Sequence, residues 1–371
     1  MCDEEKYINI YINDIFVKDT DVLHGIFEND RIDSISNMFL FLADDKDDDD
    51  GCLFTGKWYS REYIQKEIDS TLHIHIYLRT HSLILSLTRF LLQQVIAMHG
   101  VGSDAGEMKR IGELIDKTHN GTIFTSLPLY ENSPGSWDSP LNVQVEGVVK
   151  AIRDLINKNP EAYKDGYHLV CKSQGALTCR AVIQSMDDHN VKHFVSLAGP
   201  QVGVYGQAYF EGLKKYLPSW IVGTTASLMY LVAYTALGQL ISDGNMWHDP
   251  YHVDDFMKHD TFLPRFTYTA TNDMRDNFVR LERAVFCVGS GFENGYDGGI
   301  EPWQTAVFGF PDEHGNILNM TQQSFYVNDT FGLRTLHETG RLNLTIVPGV
   351  THNDWTGNDD VILKYVLPHC T

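Results

Sequence analysis

The stretch His168-Leu169-Val170-Cys171-Lys172-Ser173-Gln174-Gly175-Ala176-Leu177 decides the fold. Residues 168–171 read as a short strand, and residues 175–186 carry apolar positions at helical spacing. Between them sits a serine followed two positions later by glycine. A strand, a tight turn and a helix in that order hold a serine hydroxyl out on a strained elbow, where small neighbours let the backbone pass. The usual form is G-x-S-x-G, and Cys171 stands where the first glycine would be. Alone, Ser-x-Gly in a turn is more often structural than chemical. With its strand and helix, Ser173 is the candidate nucleophile.

Outward from the elbow the same rhythm repeats. Strand-like runs at 95–98, 122–127, Val191–Leu197, 284–288 and 342–347 alternate with helix-like runs, including 145–156 with its single apolar stripe. Such alternation predicts a mostly parallel sheet with helices on both faces, an α/β-hydrolase fold. Residues 203–275 break the rhythm and are read as a cap inserted between strands. Residues 1–80 match none of it. They form an acidic N-terminal segment of unknown role, either a small extra module or an extension ahead of the domain's true start, and the hydrolase domain is taken as 81–371.

A hydroxyl is a weak nucleophile and needs a base within hydrogen-bond reach, itself oriented by a carboxylate. In this fold the chain order is nucleophile, acid, base. His352 follows the 342–347 strand near the C-terminus, where the base belongs, and His248 and His252 in the cap are its rivals. Asp297 follows the 284–288 strand, with Glu301 four residues later as a competing acid. Two N–H groups must face the developing oxyanion. The backbone of Gln174 opens the elbow helix, and that of Val101 follows the His99-Gly100 pair after residues 95–98.

The formal net charge of −20 argues against nucleic acid as a partner, because phosphate binding needs clustered Lys and Arg. Half of it falls on residues 1–80, which hold 18 Asp and Glu against 8 Lys and Arg, much of it in the solvated run Asp44–Asp50. Six cysteines show no zinc spacing, so neither metal nor cofactor is expected. Sequons stand at Asn120, Asn319, Asn328 and Asn343, more than chance supplies, and lean towards secretory passage. The acidic start is unlike a signal peptide. A later apolar run at 83–87 is either part of the main domain or a displaced targeting segment. Residues 220–241 are 22 positions without a charge, long enough to span a bilayer. Their Gly, Thr and Gln content favours a buried or lid helix, and no stable transmembrane span is expected.

From about residue 95 onwards the chain resembles the palmitoyl-protein thioesterase family, and its second, lysosomal branch more than its first. The resemblance rests on several runs in one order. These are His99-Gly100 with Asp104, Ser173–Ala181, Met186–Val191, Ser196–Gln201, Trp247-His248-Asp249-Pro250, Pro302-Trp303-Gln304 and Phe308-Gly309-Phe310. It implies the triad Ser173, Asp297 and His352, oxyanion donors at Val101 and Gln174, and glycosylated lysosomal residence or secretion. It also implies a cysteine pair flanking the nucleophile, whose spacing Cys171 and Cys179 match, against the alternative of two buried thiols. The expected substrate is a fatty-acyl thioester, on coenzyme A or on a peptide cysteine. Candidate walls of the acyl groove come from the cap: Trp220, Ile221, Leu228, Met229 and Leu231. The competing functions are a lipase or carboxylesterase with the same triad, and an inactive lipid-binding homologue.

Overall fold

The computed structural model describes residues 51–54, 57–60, 94–119, 121–214 and 225–370. The chain divides into two units, Met1–Leu87 and Thr88–Thr371. Within the first, β1 (Gly51–Phe54) pairs antiparallel with β2 (Lys57–Ser60).

The second unit is built on six parallel strands: β3 (Gln94–Met98), β4 (Phe124–Ser126), β5 (Tyr167–Lys172), β6 (Val191–Leu197), β7 (Arg283–Ser290) and β8 (Leu342–Pro348). Their spatial order is β8-β7-β6-β5-β3-β4. Burial on both faces explains why these strands read as apolar runs. Along β5, Leu169 and Cys171 face one core while Val170 faces the other. In β7, Phe286 and Val288 face the first core and Val285 and Cys287 the second. Helices α1 (Lys109–Thr118), α2 (Leu141–Lys158) and α3 (Gln174–Ser185) connect the early strands. Residues of α2 and α3 belong to the first core and those of α1 to the second, so the two faces are covered as expected for an α/β hydrolase. Every residue from Gln174 to Gln184 is buried, which is why α3 lacks a polar stripe.

The strand order fixes where the site must lie. From β3 the chain passes outward to β4 and then crosses back to β5 on the other side of β3. Loops leaving β3 and β5 therefore part company at their carboxyl ends, opening the crevice in which parallel sheets bind ligands.

The cap between β6 and β7 includes α4 (Gln207–Leu213), α5 (Ser242–Met246), α6 (Val253–His259) and α7 (Asn272–Val279). The uncharged 220–241 stretch is not one helix. Its described part is broken into Ala226–Leu228, Tyr230–Ala233 and Gly238–Leu240. Gly238 lies so close to the carbonyl oxygens of Val232 and Ala233 that any side chain there would overlap them. The chain folds back on itself at that point. Among the described residues no helix is long and apolar enough to cross a membrane.

Candidate active site

Ser173 leaves β5 with φ 54° and ψ −130°, a conformation that is costly for a residue with a side chain. Two features hold it there. Its N–H donates to the Leu197 carbonyl on β6 at 2.8 Å. Gly175 packs against the end of β3 so closely that a Cβ would overlap the His99 carbonyl oxygen. A disulfide between Cys171 and Cys179 ties the end of β5 to α3. The N–H of Gln174 begins α3, so it has no intrahelical partner.

Asp297 and His352 meet in the loops after β7 and β8. His352 Nδ1 lies 3.0 Å from Asp297 Oδ2, and the His352 N–H donates to the Asp297 carbonyl at 3.0 Å. The other carboxylate oxygen, Oδ1, accepts from the N–H groups of Gly299 (2.9 Å) and Ile300 (2.8 Å). Burial pushes this carboxyl up, but the imidazole and the two N–H groups outweigh it and hold the carboxyl below its ordinary value. Glu301 has a different partner. Its Oε2 accepts the Tyr209 N–H at 2.7 Å near the start of α4, and burial raises its carboxyl.

The loop after β3 presents three successive N–H groups, two of which are committed. Gly100 N–H donates to Glu107 Oε2 at 2.8 Å, and Gly102 N–H donates to Ser136 Oγ at 2.7 Å. The Gly100 carbonyl lies 2.8 Å from His99 Nδ1. In a trans peptide the C=O and N–H point opposite ways, so this contact turns the Val101 N–H away from His99. The Gln174 side chain donates to the Ser136 carbonyl (3.1 Å) and to Gln144 Oε1 (3.0 Å). Ser136 thus links the β3 loop to the first residue of α3.

An unforeseen ion pair lies beneath these loops. Lys172 Nζ, almost wholly buried, contacts Glu107 Oε1 at 2.5 Å and donates to Asn353 Oδ1 at 3.1 Å. Burial pushes the Glu107 carboxyl up, but Lys172 and the Gly100 N–H bring it below its ordinary value. The pair joins the elbow, the β3 loop and the residue after His352. Lys172 lies within the quoted elbow sequence, but nothing there reveals its partner 65 positions earlier.

Ser173, His352, Val101, Lys172 and Glu107 line one cavity of about 360 Å³, together with Tyr209, Leu213 and Asp243 from the cap and Trp137 and Tyr296 from loops outside it. The two rival histidines of the cap are engaged elsewhere. His248 is sandwiched between Phe256 and Phe310, and burial brings it down to about 4. His252 stacks on Tyr230 and contacts Asp249 at 3.0 Å. The predicted groove residues are not gathered at this cavity: Met229 is in the core, while Leu228 and Leu231 are 44% and 57% exposed. Trp220 and Ile221 lie outside the described residues. Asn319 and Asn328 are exposed, Asn343 is half-buried on edge strand β8, and Asn120 lies outside the described residues.

The sequence pattern of the family described as palmitoyl protein thioesterase matches residues 94–352, spanning the elbow, the cap and His352. The chain belongs to the palmitoyl protein thioesterase family. Membership makes it a thioester hydrolase on an α/β-hydrolase fold. Among curated relatives of this thioesterase, the lysosomal thioesterase PPT2 of Mus musculus is 36% identical over 268 residues, covering 71% of this chain and 83% of the mouse protein. The Homo sapiens protein of the same name gives the same figures. The lysosomal thioesterase PPT2 homolog of Drosophila melanogaster is 32% identical over 279 residues, covering 74% and 91%.

Proposed function

We propose that this thioesterase cleaves fatty-acyl thioesters through an acyl-enzyme on Ser173, with His352 as base and Asp297 as the group that orients it. The observation that carries the reading is the 3.0 Å contact between buried Asp297 and His352, with His352 lining the same cavity as Ser173 on its positive-φ elbow. His352 takes the Ser173 proton as Oγ attacks the thioester carbonyl, and the Val101 and Gln174 N–H groups receive the oxyanion. Collapse breaks the C–S bond, and the departing sulfur takes the proton held on His352, which releases the thiol and returns the imidazole to its neutral form. A water, deprotonated by His352, then attacks the acyl-serine ester, freeing the fatty acid and restoring Ser173.

A thiol of pKa ~8.5 departs with little proton donation, so one histidine suffices for both half-reactions. The carriers are coenzyme A or an S-acylated cysteine, with acyl-CoA preferred. Naming of the relatives as lysosomal, together with the exposed sequons at Asn319 and Asn328, supports passage through the secretory route to the lysosome. Hydrolysis of an acyl-CoA chain-length series by the purified protein, beside matched oxygen esters, tests the assignment. Faster turnover of the oxygen esters would make the protein a carboxylesterase instead.

A further inference from the structure

Of the acidic and basic side chains that line the cavity and that the proposed chemistry does not use, Asp243 keeps an oxygen without a hydrogen-bond partner among the described residues. Asp243, at the start of α5, is 1% exposed and lines the same cavity as Ser173. One of its oxygens, Oδ1, accepts from the Tyr209 hydroxyl. The other, Oδ2, is buried and has no hydrogen-bond partner among the described residues. The cavity's remaining charged pair is satisfied, since Glu107 and Lys172 hold each other and also hold Gly100 and Asn353.

The orientation of Asp243 is fixed from two sides. Glu301 holds the Tyr209 N–H, and the neighbouring Ser242 N–H donates to the carbonyl of Trp137, another lining residue. An unpartnered buried acceptor is costly, and a hydrocarbon chain laid against it would leave it unsatisfied. This end of the cavity therefore suits an N–H donor rather than the acyl chain.

The leaving half of the substrate supplies one. In both coenzyme A and a cysteine residue an amide nitrogen sits two carbons from the sulfur. With the carbonyl carbon at Ser173, that amide is the first polar group the thiol side brings into the cavity. We infer that Asp243, held by Tyr209, is a recognition subsite for the amide N–H two carbons from the thioester sulfur. The inference rests on the thioesterase reading of Ser173 and deepens it. One subsite would serve acyl-CoA and S-acyl peptides alike.

The test compares two thioesters differing at one atom: S-octanoyl-N-acetylcysteamine, which carries the amide, and S-octanoyl-2-mercaptoethyl acetate, in which oxygen replaces the N–H. Rates are normalised to hydroxide hydrolysis and measured at pH 7.5, above the value of about 6 to which burial raises Asp243. The wild-type enzyme is expected to favour the amide by about tenfold or more in kcat/KM, the scale of a hydrogen bond to a charged group. Asp243→Asn, whose amide nitrogen donates instead of accepting, is expected to erase or reverse that preference. Equal kcat/KM for the two substrates in the wild type overturns the subsite while leaving the thioesterase reading intact. Hydrolysis of neither thioester overturns both. The wild-type ratio decides the matter even if Asp243→Asn fails to fold.

Discussion

Gly299 is the residue whose replacement by alanine tests the site geometry most sharply. Its backbone lies outside the left-handed region, so alanine brings no conformational strain. A Cβ there would come well under 3.0 Å from the His352 ring, near Cγ, Cδ2 and Nε2. Carbon atoms settle about 3.5–4.0 Å apart, and the added atom would start 2.2 Å from the ring, so ring and loop must separate by more than about 1 Å. The ring cannot swing freely, because Nδ1 is held by Asp297, and the loop cannot yield without disturbing the Gly299 N–H bond to the same carboxylate. A displacement of that size at a catalytic base costs on the order of 10²-fold, or about 2.7 kcal/mol of barrier. The assay is kcat/KM for a fatty acyl-CoA by thiol release, with a thermal midpoint to show that the fold survives. Gly357→Ala is the control, since nothing lies within 4 Å of its added methyl group. If Gly299→Ala kept kcat/KM within about threefold of wild type, the placement of His352 against this loop would be wrong.

Three further outcomes follow from the structure. Lys172→Met should destabilise the protein by about 3–5 kcal/mol in urea, because it strands the Glu107 carboxylate, and adding Glu107→Gln should recover most of the loss. No recovery in the double variant would show that the ion pair is not what Lys172 contributes. His168 is buried, mainly desolvation brings it down to about 3, and its Nε2 has no partner among the described residues. Its depressed value means that stability present above pH 6.5 drains away as the pH falls towards 3, by about 1.4 kcal/mol per unit. His168→Asn should therefore narrow its stability deficit relative to wild type on acidification, and a constant gap between pH 7 and 4.5 would contradict this. Non-reducing peptide mapping should recover Cys171 joined to Cys179, with Cys287 and Cys370 alkylated only after unfolding, because both are fully buried. Free Cys171 and Cys179 thiols in the native protein would oppose it.

Much of the sheet was legible because its strands are buried on both faces and stand out as apolar runs. Residues 191–197 matched in full, while 122–127 shrank to Phe124–Ser126. The elbow was readable because strand, serine, glycine and helix are contiguous in the chain. Asp297 was preferred to Glu301 from the sequence although both follow the same strand, and nothing in the sequence showed that Glu301 would accept the Tyr209 N–H from a helix 92 positions earlier. The uncharged 220–241 stretch misled because a lack of charge does not specify length of helix, and the close approach at Gly238 breaks it. Glu107, Asn353 and Asp243 were missed because each comes to the cavity from a different loop or helix with no motif around it.

The claim that Ser173 carries the acyl group is tested most directly by trapping it. Wild-type protein quenched in acid during turnover of a fatty acyl-CoA, then digested and mapped by mass, should show one acyl group on the peptide containing Ser173. Ser173→Ala should show none and should lose turnover by several orders of magnitude. Sustained acyl-CoA hydrolysis by Ser173→Ala, or an acyl group trapped on another residue, would contradict the account.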